Sequence, residues 1–322
     1  MVSCPSCEAK VFIPGDLAPL STVPCSKCGK PVMMPLRLRQ FELRSVVGSG
    51  GMGKVYRAYD AVLERLVAVK LMKKELVADT KALQRFYREA RACASLNHTN
   101  IIHIYNFEEW EGQPYLVMEL ADRGSLDSRI EKQRVVPELD VLDVGIKIAS
   151  ALNMALKHNL LHRDIKPGNI LFNEDGEPKL VDFGLARKVG TELDPEEASW
   201  ATPYYVAPEK IRREEETFHS DMYSLGGTLY HALTGHVPFE APTIDELVAA
   251  HVQTALTPPS LVVPEITQPT SDALVRAMAK RPRDRFQSYD ELIMALTYAQ
   301  SQLLVHQSRA GAPKRKPSWW RR

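Results

Sequence analysis

Apolar positions along the chain keep two different periods, and the period changes in a definite order. Phe41 to Val47 and Val55 to Tyr59 read as strands, separated by the glycine-rich turn Gly48-Ser49-Gly50-Gly51-Met52-Gly53. Val67-Ala68-Val69 is a third apolar strand, ended by Lys70. From Thr80 to Leu96 the spacing becomes helical, with Ala82, Phe86, Cys93 and Leu96 on one face. Ile101 to Tyr105 and Tyr115 to Leu120 return to strands around a turn at Glu111-Gly112. Leu139 to His158 is helical through Val141, Val144, Ile148, Ala151, Leu152 and Ala155. Ile170-Leu171-Phe172 and Lys179-Leu180-Val181 flank the turn signal Asn173 to Gly176, which predicts a short β-hairpin. An apolar helix opens at Ser220 and stops at Gly235, and a last helix continues to about Gln307. Strands come first and helices afterwards, an α+β arrangement.

Upstream of these strands, four of the five cysteines form two knuckles, Cys4-x-x-Cys7 and Cys25-x-x-Cys28. Counted from the second cysteine of each, Val11-Phe12-Ile13-Pro14 aligns with Val32-Met33-Met34-Pro35, so knuckle and proline-ended apolar strand repeat. Two C-x-x-C pairs at this separation suit a tetrahedral Zn²⁺ site, and the segment resembles the zinc ribbons. So small a module cannot fold on apolar burial alone; bound metal would contribute about 10 kcal/mol or more. A redox dithiol would call for a βαβ setting, which the pattern lacks.

Charge narrows the partners. The 322 residues carry 41 basic and 40 acidic side chains, a net charge of +1, so no nucleic-acid partner is expected. Lys10, Lys27 and Lys30 are too few to make the ribbon a nucleic-acid module. There is no run of eighteen apolar residues, and Met1-Val2-Ser3-Cys4-Pro5 lacks the basic and apolar regions of a signal peptide. The expectation is a cytoplasmic protein with reduced cysteines.

The chemistry concentrates in His162-Arg163-Asp164-Ile165-Lys166-Pro167-Gly168-Asn169 and, past the hairpin, Asp182-Phe183-Gly184. A hairpin there returns Asn169 and Asp182 toward each other as two oxygen ligands for Mg²⁺, leaving Asp164 to accept a proton. Upstream, Gly48, Gly50 and Gly53 sit between two strands, which suits a backbone lid over phosphates; a dinucleotide fold would need a helix after the glycines. Lys70 is costly to desolvate unless paired, and Glu89 is an acid in the middle of an apolar helix face.

Together these residues resemble the protein kinases, and the glycine loop followed by Val55-Tyr56-Arg57-Ala58-Tyr59 is most similar to bacterial Ser/Thr kinases of the eukaryotic type. The resemblance implies a bilobal kinase fold, with a β-rich N-lobe and a helical C-lobe, over residues 37–298. The ribbon (1–36) precedes it and a helical extension with a basic tail (299–322) follows. It implies ATP with Mg²⁺ or Mn²⁺ as cofactor, Lys70 on the phosphates and Glu89 as its partner. Asp164 would be the base, Lys166 the cation on the transferring group, and Asn169 and Asp182 the metal ligands. Val55, Ala68, Met118 and Leu171 would wall the adenine site, with the backbone of Glu119 and Ala121 at the adenine edge. His162 and Cys93 become packed core residues, and Arg163 a site for an activation-loop phosphate.

The stretch Asp182 to Ala207-Pro208-Glu209 matches an activation segment, in which Thr202 would dock the acceptor and Lys166 speaks for Ser/Thr specificity. Two departures stand out: Ala201 replaces the usual glycine, and Ala198 occupies the usual phosphosite, leaving Thr191 and Ser199 as candidates beside Glu196 and Glu197. By the same resemblance Asp221 anchors the catalytic loop backbone and Arg285 pairs with Glu209. Pro313 to Arg322 is basic with two tryptophans and reads as a disordered tail, with attachment to anionic lipid as the alternative. The expected partners are protein substrates, with autophosphorylation; the rival reading is a pseudokinase adaptor, which would ordinarily lack one of the catalytic positions.

Overall fold

The structure is a computed structural model that describes residues 1–4, 6–12, 17–188 and 203–311. The chain divides into two compact units, residues 1–124 with 171–186, and residues 125–170 with 187–322.

The first unit opens with the two knuckles. Strand β1 (Val2–Ser3) pairs antiparallel with β2 (Lys10–Val11), and β3 (Thr22–Pro24) with β4 (Pro31–Met33). The repeat seen in the sequence is a repeat of backbone bonding. Cys4 N donates to Ala9 O at 2.9 Å and Glu8 N to Cys4 O at 2.9 Å; Cys25 N donates to Lys30 O and Gly29 N to Cys25 O, both at 2.8 Å. Glu8 and Gly29 occupy the same turn position and share a left-handed backbone, φ 59° and 72°. Val11 and Val32 bury themselves beside Cys4 and Cys25 as a miniature core. Ile13 and Pro14, the end of the first repeat, lie outside the described residues.

The ribbon leads without a spacer into a six-stranded sheet. Strand β5 (Leu36–Leu38) is its edge, followed by β6 (Phe41–Ser49), β7 (Gly53–Asp60) and β8 (Arg65–Met72). Helix α1 (Thr80–Ala94) then precedes β9 (Ile104–Trp110) and β10 (Gln113–Met118), and the strand order is β5-β6-β7-β8-β10-β9. Period-2 alternation gives the sheet an apolar face on which Leu38, Phe41, Leu43, Tyr56, Ala58, Val67, Val69, Tyr115 and Val117 cluster, with Met33 of the ribbon among them. The other cluster joins Met72 and Leu116 to Phe86 and Ala90 of α1. Each fully buried leucine or phenylalanine contributes about 2 kcal/mol of transfer free energy. Asp79 caps α1, its side chain accepting from Lys81 N at 2.9 Å and Ala82 N at 3.1 Å. The run from Ile101 is not strand from its start: Ile101 makes one parallel bridge to Leu180, and β9 begins at Ile104.

The second unit is helical. Helix α2 (Leu126–Gln133) and α3 (Glu138–Lys157) lead to β11 (Leu160–Leu161) and the catalytic loop. The chain then returns to the first unit from Leu171, where strands β12 (Ile170–Phe172) and β13 (Pro178–Leu180) form the expected hairpin; back in the second unit, β14 (Arg187–Lys188) pairs onto β11. Then follow α4 (Pro208–Ile211), α5 (Phe218–Thr234), α6 (Ile244–Gln253), α7 (Pro259–Val262), α8 (Gln268–Ala277) and α9 (Tyr289–Gly311). Helix α3 packs against α5 and α9. A side chain at Gly145 of α3 would put its Cβ 2.8 Å from a terminal methyl of Leu229 of α5, so the leucine would have to shift. Gly235 ends α5 at φ 72°, where a Cβ would sit 2.6 Å from Arg134 O. Helix α9 runs past Gln307 to Gly311, beyond the expected end.

Near the base of α4 lies a buried ion pair. Arg285, 1% exposed, meets Glu209, also 1% exposed, through Nη1 to Oε1 at 2.7 Å and Nη2 to Oε2 at 2.8 Å. Its Nε donates to Ala279 O and its Nη1 to His219 O, so the fork is shared between carboxylate and carbonyls. Burial alone would raise the Glu209 carboxyl, but Arg285 and the Ser220 hydroxyl outweigh it and hold the pKa below its ordinary value. Removing one partner leaves the other charged and alone. Arg285→Ala is therefore expected to lower the unfolding free energy by about 3–5 kcal/mol, read as a shift of the urea midpoint; a loss below about 1 kcal/mol would contradict the pairing.

Candidate active site and metal centre

In the first unit the glycine turn closes tightly, with Gly50 N donating to Gly53 O at 2.9 Å. Gly48 pairs with Val55 across the lid, and a Cβ on Gly53 would fall 2.3 Å from Leu71 O, so the strand pair cannot admit a side chain there. Lys70, on β8, extends to α1, where its Nζ donates to both carboxylate oxygens of Glu89 at 2.6 Å each. Burial pulls the Lys70 ammonium down, but the carboxylates of Glu89 and Asp182 outweigh it and raise its pKa, so the lysine stays charged. Burial, with the Asp182 carboxylate, outweighs the pull of Lys70 and leaves the Glu89 pKa raised; both its oxygens nonetheless lie on the charged ammonium.

Asp182 stands beside this pair on a left-handed backbone, φ 66°, and its Oδ1 accepts from Gly184 N at 3.3 Å. Gly184 is hemmed in: a Cβ there would meet Asp182 Oδ1 at 3.0 Å, Met52 Cε at 3.4 Å and Glu89 Oε2 at 3.7 Å. Lys70, Glu89, Asp182 and the tip of the glycine lid thus converge. Cys93 is buried on α1, and burial drives its thiol well above the ordinary range, which leaves it an inert core residue.

Met118 ends β10 directly opposite Ala68, and Val55 lies opposite Lys70 on the neighbouring strand. Glu119 N donates to His103 O at 2.9 Å, so only the Glu119 carbonyl is left to meet an adenine edge. Its side chain is tied to the buried Lys179 of β13, Nζ to Oε1 at 2.5 Å. Ala121 and Leu171 are half-buried in the same unit.

In the second unit the catalytic loop is strung over Asp221 of α5. His162 N donates to Asp221 Oδ2 and Arg163 N to Oδ1, both at 2.7 Å. His162 is buried, and its Nδ1 accepts from Asp164 N at 3.3 Å. Beyond the turn, Lys166 Nζ lies 2.6 Å from Asp164 Oδ2, and Asn169 Nδ2 bonds Asp164 O at 2.8 Å and Oδ2 at 3.0 Å. Asp164, Lys166 and Asn169 therefore form one cluster. Arg163, the expected phosphate site, gives Nε and Nη2 to Glu216, with Lys210 on its carbonyl; residues 189–202 of the expected activation segment lie outside the described residues. Neither Lys210 nor Glu216 was singled out by the sequence, where Glu216 is the last of three consecutive glutamates. Thr202, Thr191 and Ser199, with Ala198 and Ala201, lie outside the described residues, as does the basic tail from Pro313.

The four knuckle cysteines form a cluster that could hold a metal ion. All are free thiols, and their four sulfurs lie within 4.8 Å of one another. Cys4 and Cys28 are 3.6 Å apart and Cys7 and Cys25 3.7 Å, against about 3.8 Å for sulfurs sharing a tetrahedral Zn²⁺ at 2.3 Å and about 2.0 Å for a disulfide. Backbone N–H groups of Cys28 and Lys27 aimed at Cys25 Sγ lower its pKa to about 6, whereas burial and the neighbouring sulfurs push Cys7 up to about 12, so without a metal the cluster favours a thiolate at Cys25 and a thiol at Cys7. The donor set fits tetrahedral zinc.

Comparison with known proteins agrees with this geometry. The family described as protein kinase domain matches residues 41–301. The probable serine/threonine-protein kinase PknB of Lactococcus lactis is 33% identical over 258 residues, 79% of this chain and 41% of that protein. The serine/threonine-protein kinase PknH of Mycobacterium bovis is 35% identical over 259 residues, 79% of this chain and 43% of that protein. A probable serine/threonine-protein kinase of Streptomyces coelicolor is 37% identical over 261 residues, 79% of this chain and 39% of that protein. The chain thus spans about two-fifths of the length of these relatives. A lysine–glutamate pair beside the Asp-Phe-Gly turn, a catalytic loop strung on a buried aspartate and this match lead to one assignment: the chain belongs to the protein kinase family.

Proposed function

We propose that the chain is an ATP-dependent serine/threonine protein kinase, passing the γ-phosphoryl group of Mg-ATP to hydroxyls of proteins and of itself. The observation that carries this is the Lys70–Glu89 ion pair with Asp182 beside it. An ammonium kept charged in a partly buried site is suited to polyphosphate, and it is of no use to a core. The names of the relatives support the same activity, and Lys166, two residues past Asp164, supports serine or threonine as acceptor.

In this reading the acceptor hydroxyl gives its proton to the Asp164 carboxylate as its oxygen attacks phosphorus, and the bond to the bridging oxygen of ADP breaks. Lys166 steadies charge on the group in transit. Lys70 holds the nucleotide phosphates, and the backbone of Gly48, Gly50 and Gly53 covers them. Val55, Ala68, Met118 and Leu171 offer flat apolar surface to adenine, whose edge meets the Glu119 carbonyl and the Ala121 backbone. Mg²⁺ or Mn²⁺, held by Asn169 and Asp182, would supply neutralisation of the phosphate charge. Thr202 is assigned to acceptor docking, and Thr191 and Ser199 are the candidate autophosphorylation positions. The pseudokinase reading is disfavoured because Lys70, Asp164 and Asp182 are all present. Among the described residues no helix is long and apolar enough to cross a membrane. Four free thiols suited to Zn²⁺ fit a cytoplasmic setting.

Purified protein with Mg-ATP and a generic protein acceptor should become phosphorylated on serine or threonine. Asp164→Ala and Lys70→Met should each cut turnover about 100-fold or more while leaving the circular dichroism spectrum intact. Near-normal turnover in either variant would sink the assignment.

The zinc reading has its own readout. Elemental analysis should find one equivalent of zinc per chain, Cys25→Ser should carry almost none, and its thermal midpoint should drop. A metal-free wild-type chain that melts at the same temperature as the zinc-loaded one would rule out a structural metal.

A further inference from the structure

Arg163 is the residue immediately before the proposed base, and its backbone is left-handed, φ 69°. A residue with a Cβ persists in that region only where its surroundings hold it. Asp221 accepts the amides of His162 and Arg163, as the kinase resemblance implied. The other grips came unannounced. Lys210 Nζ donates to Arg163 O at 3.2 Å. Glu216 takes the guanidinium edge on two atoms, Nε to Oε2 at 3.1 Å and Nη2 to Oε1 at 2.5 Å. Both side chains of that pair are nearly dry, 8% and 6% exposed. Lys210 also lies 3.9 Å from Glu216 Oε2, so one carboxylate faces two cations. Arg163, Lys210, Glu216 and Asp221 thus interact around the start of α5, where Thr217 caps the helix.

The Nε–Nη2 edge of an arginine is the geometry that a carboxylate or a phosphate engages in two parallel bonds. Here a glutamate from the segment ahead of α5 fills it. Burial drives the Lys210 ammonium down and Glu216 opposes that shift, consistent with a carboxylate shared by both cations.

We propose that Glu216 is a positioning residue for phosphoryl transfer: by clamping the Arg163 guanidinium it fixes the strained backbone that carries Asp164, so the catalytic loop is set by a built-in carboxylate without a phosphate on that edge. The proposal rests on the kinase reading for its consequence in turnover, and on geometry alone for its effect on the loop. Lys70, Glu89 and Asp182 belong to the other compact unit, so losing the clamp should spoil the aim of Asp164 and spare nucleotide binding. An aiming error of about 1 Å is enough to cost roughly 100-fold in rate.

Glu216→Gln keeps the shape and removes the charge; Glu216→Ala removes both; Arg163→Gln removes the guanidinium, and Arg163→Gln/Glu216→Gln removes the pair. Two measurements are made on each full-length variant: steady-state phosphorylation of a protein acceptor, and hydrogen exchange of the segment 160–166. The expected result is a kcat lowered about 10- to 100-fold in Glu216→Gln, a KM for ATP within about twofold of wild type, and a double variant no worse than the worse single one. Exchange of the loop should quicken in each variant, and wild-type protein treated with a phosphatase should keep its kcat. A kcat within about twofold of wild type in both Glu216 variants, losses that multiply in the double variant, or unchanged loop exchange would overturn the proposal. A wild-type chain that transfers no phosphate would refute the kinase reading alone, since the exchange measurement still decides whether Glu216 sets the loop.

Discussion

The ammonium of Lys70 is held on both oxygens of a nearly buried glutamate, and much of the first unit exists to make that contact affordable. Strand β8 must carry a lysine inside its apolar run, between Val69 and Leu71, and α1 must present an acid from its apolar face. A partly buried cation without a partner would shed its proton or pull in water. With Glu89 and Asp182 around it, the charge is retained where phosphates are to be met. The same rule governs the second unit. Glu209 is kept ionised by Arg285, and Asp221 is satisfied by two backbone amides. Charge is buried in this chain wherever geometry has to be fixed.

Where a buried charge belongs to a motif, it was legible. Lys70 and Glu89 stand out as charges in apolar surroundings, whereas Arg285 with Glu209 and Asp221 under the catalytic loop were anticipated only through the kinase resemblance. The strands around the glycine lid, the hairpin past Asn169 and the stop of α5 at Gly235 were legible for a simpler reason: local turn chemistry dictates them. Glu216 was not, since an acid in a run of acids looks like solvated surface, and its partner is 53 residues away in sequence. Lys179 with Glu119 escaped for the same reason, as a long-range pair with no local oddity at either end. Boundaries slipped where the apolar pattern outlasted the bonding. Ile101 and Ile102 look like strand but make only a bridge, and α9 continues past Gln307 to Gly311.

The cysteine knuckles show how a repeat can be read at two depths. In the sequence it is a spacing of cysteines and valines. In the fold it is the same pair of backbone hydrogen bonds and the same left-handed turn position, occupied once by Glu8 and once by Gly29. The sulfurs then stand at the separation a tetrahedral ion imposes, with Val11 and Val32 closing the space behind them.

Met33 belongs to both stories at once. It sits at the end of a ribbon strand, yet its side chain is part of the apolar layer formed by Leu38, Phe41, Leu43 and Tyr115, and β5 begins only three residues later. Ribbon and sheet are therefore one folding unit sharing a wall. Cutting the chain at the start of its family match, residue 41, would strip the edge strand and uncover that wall, inviting the exposed β6 edge to pair with whatever strand it next encounters.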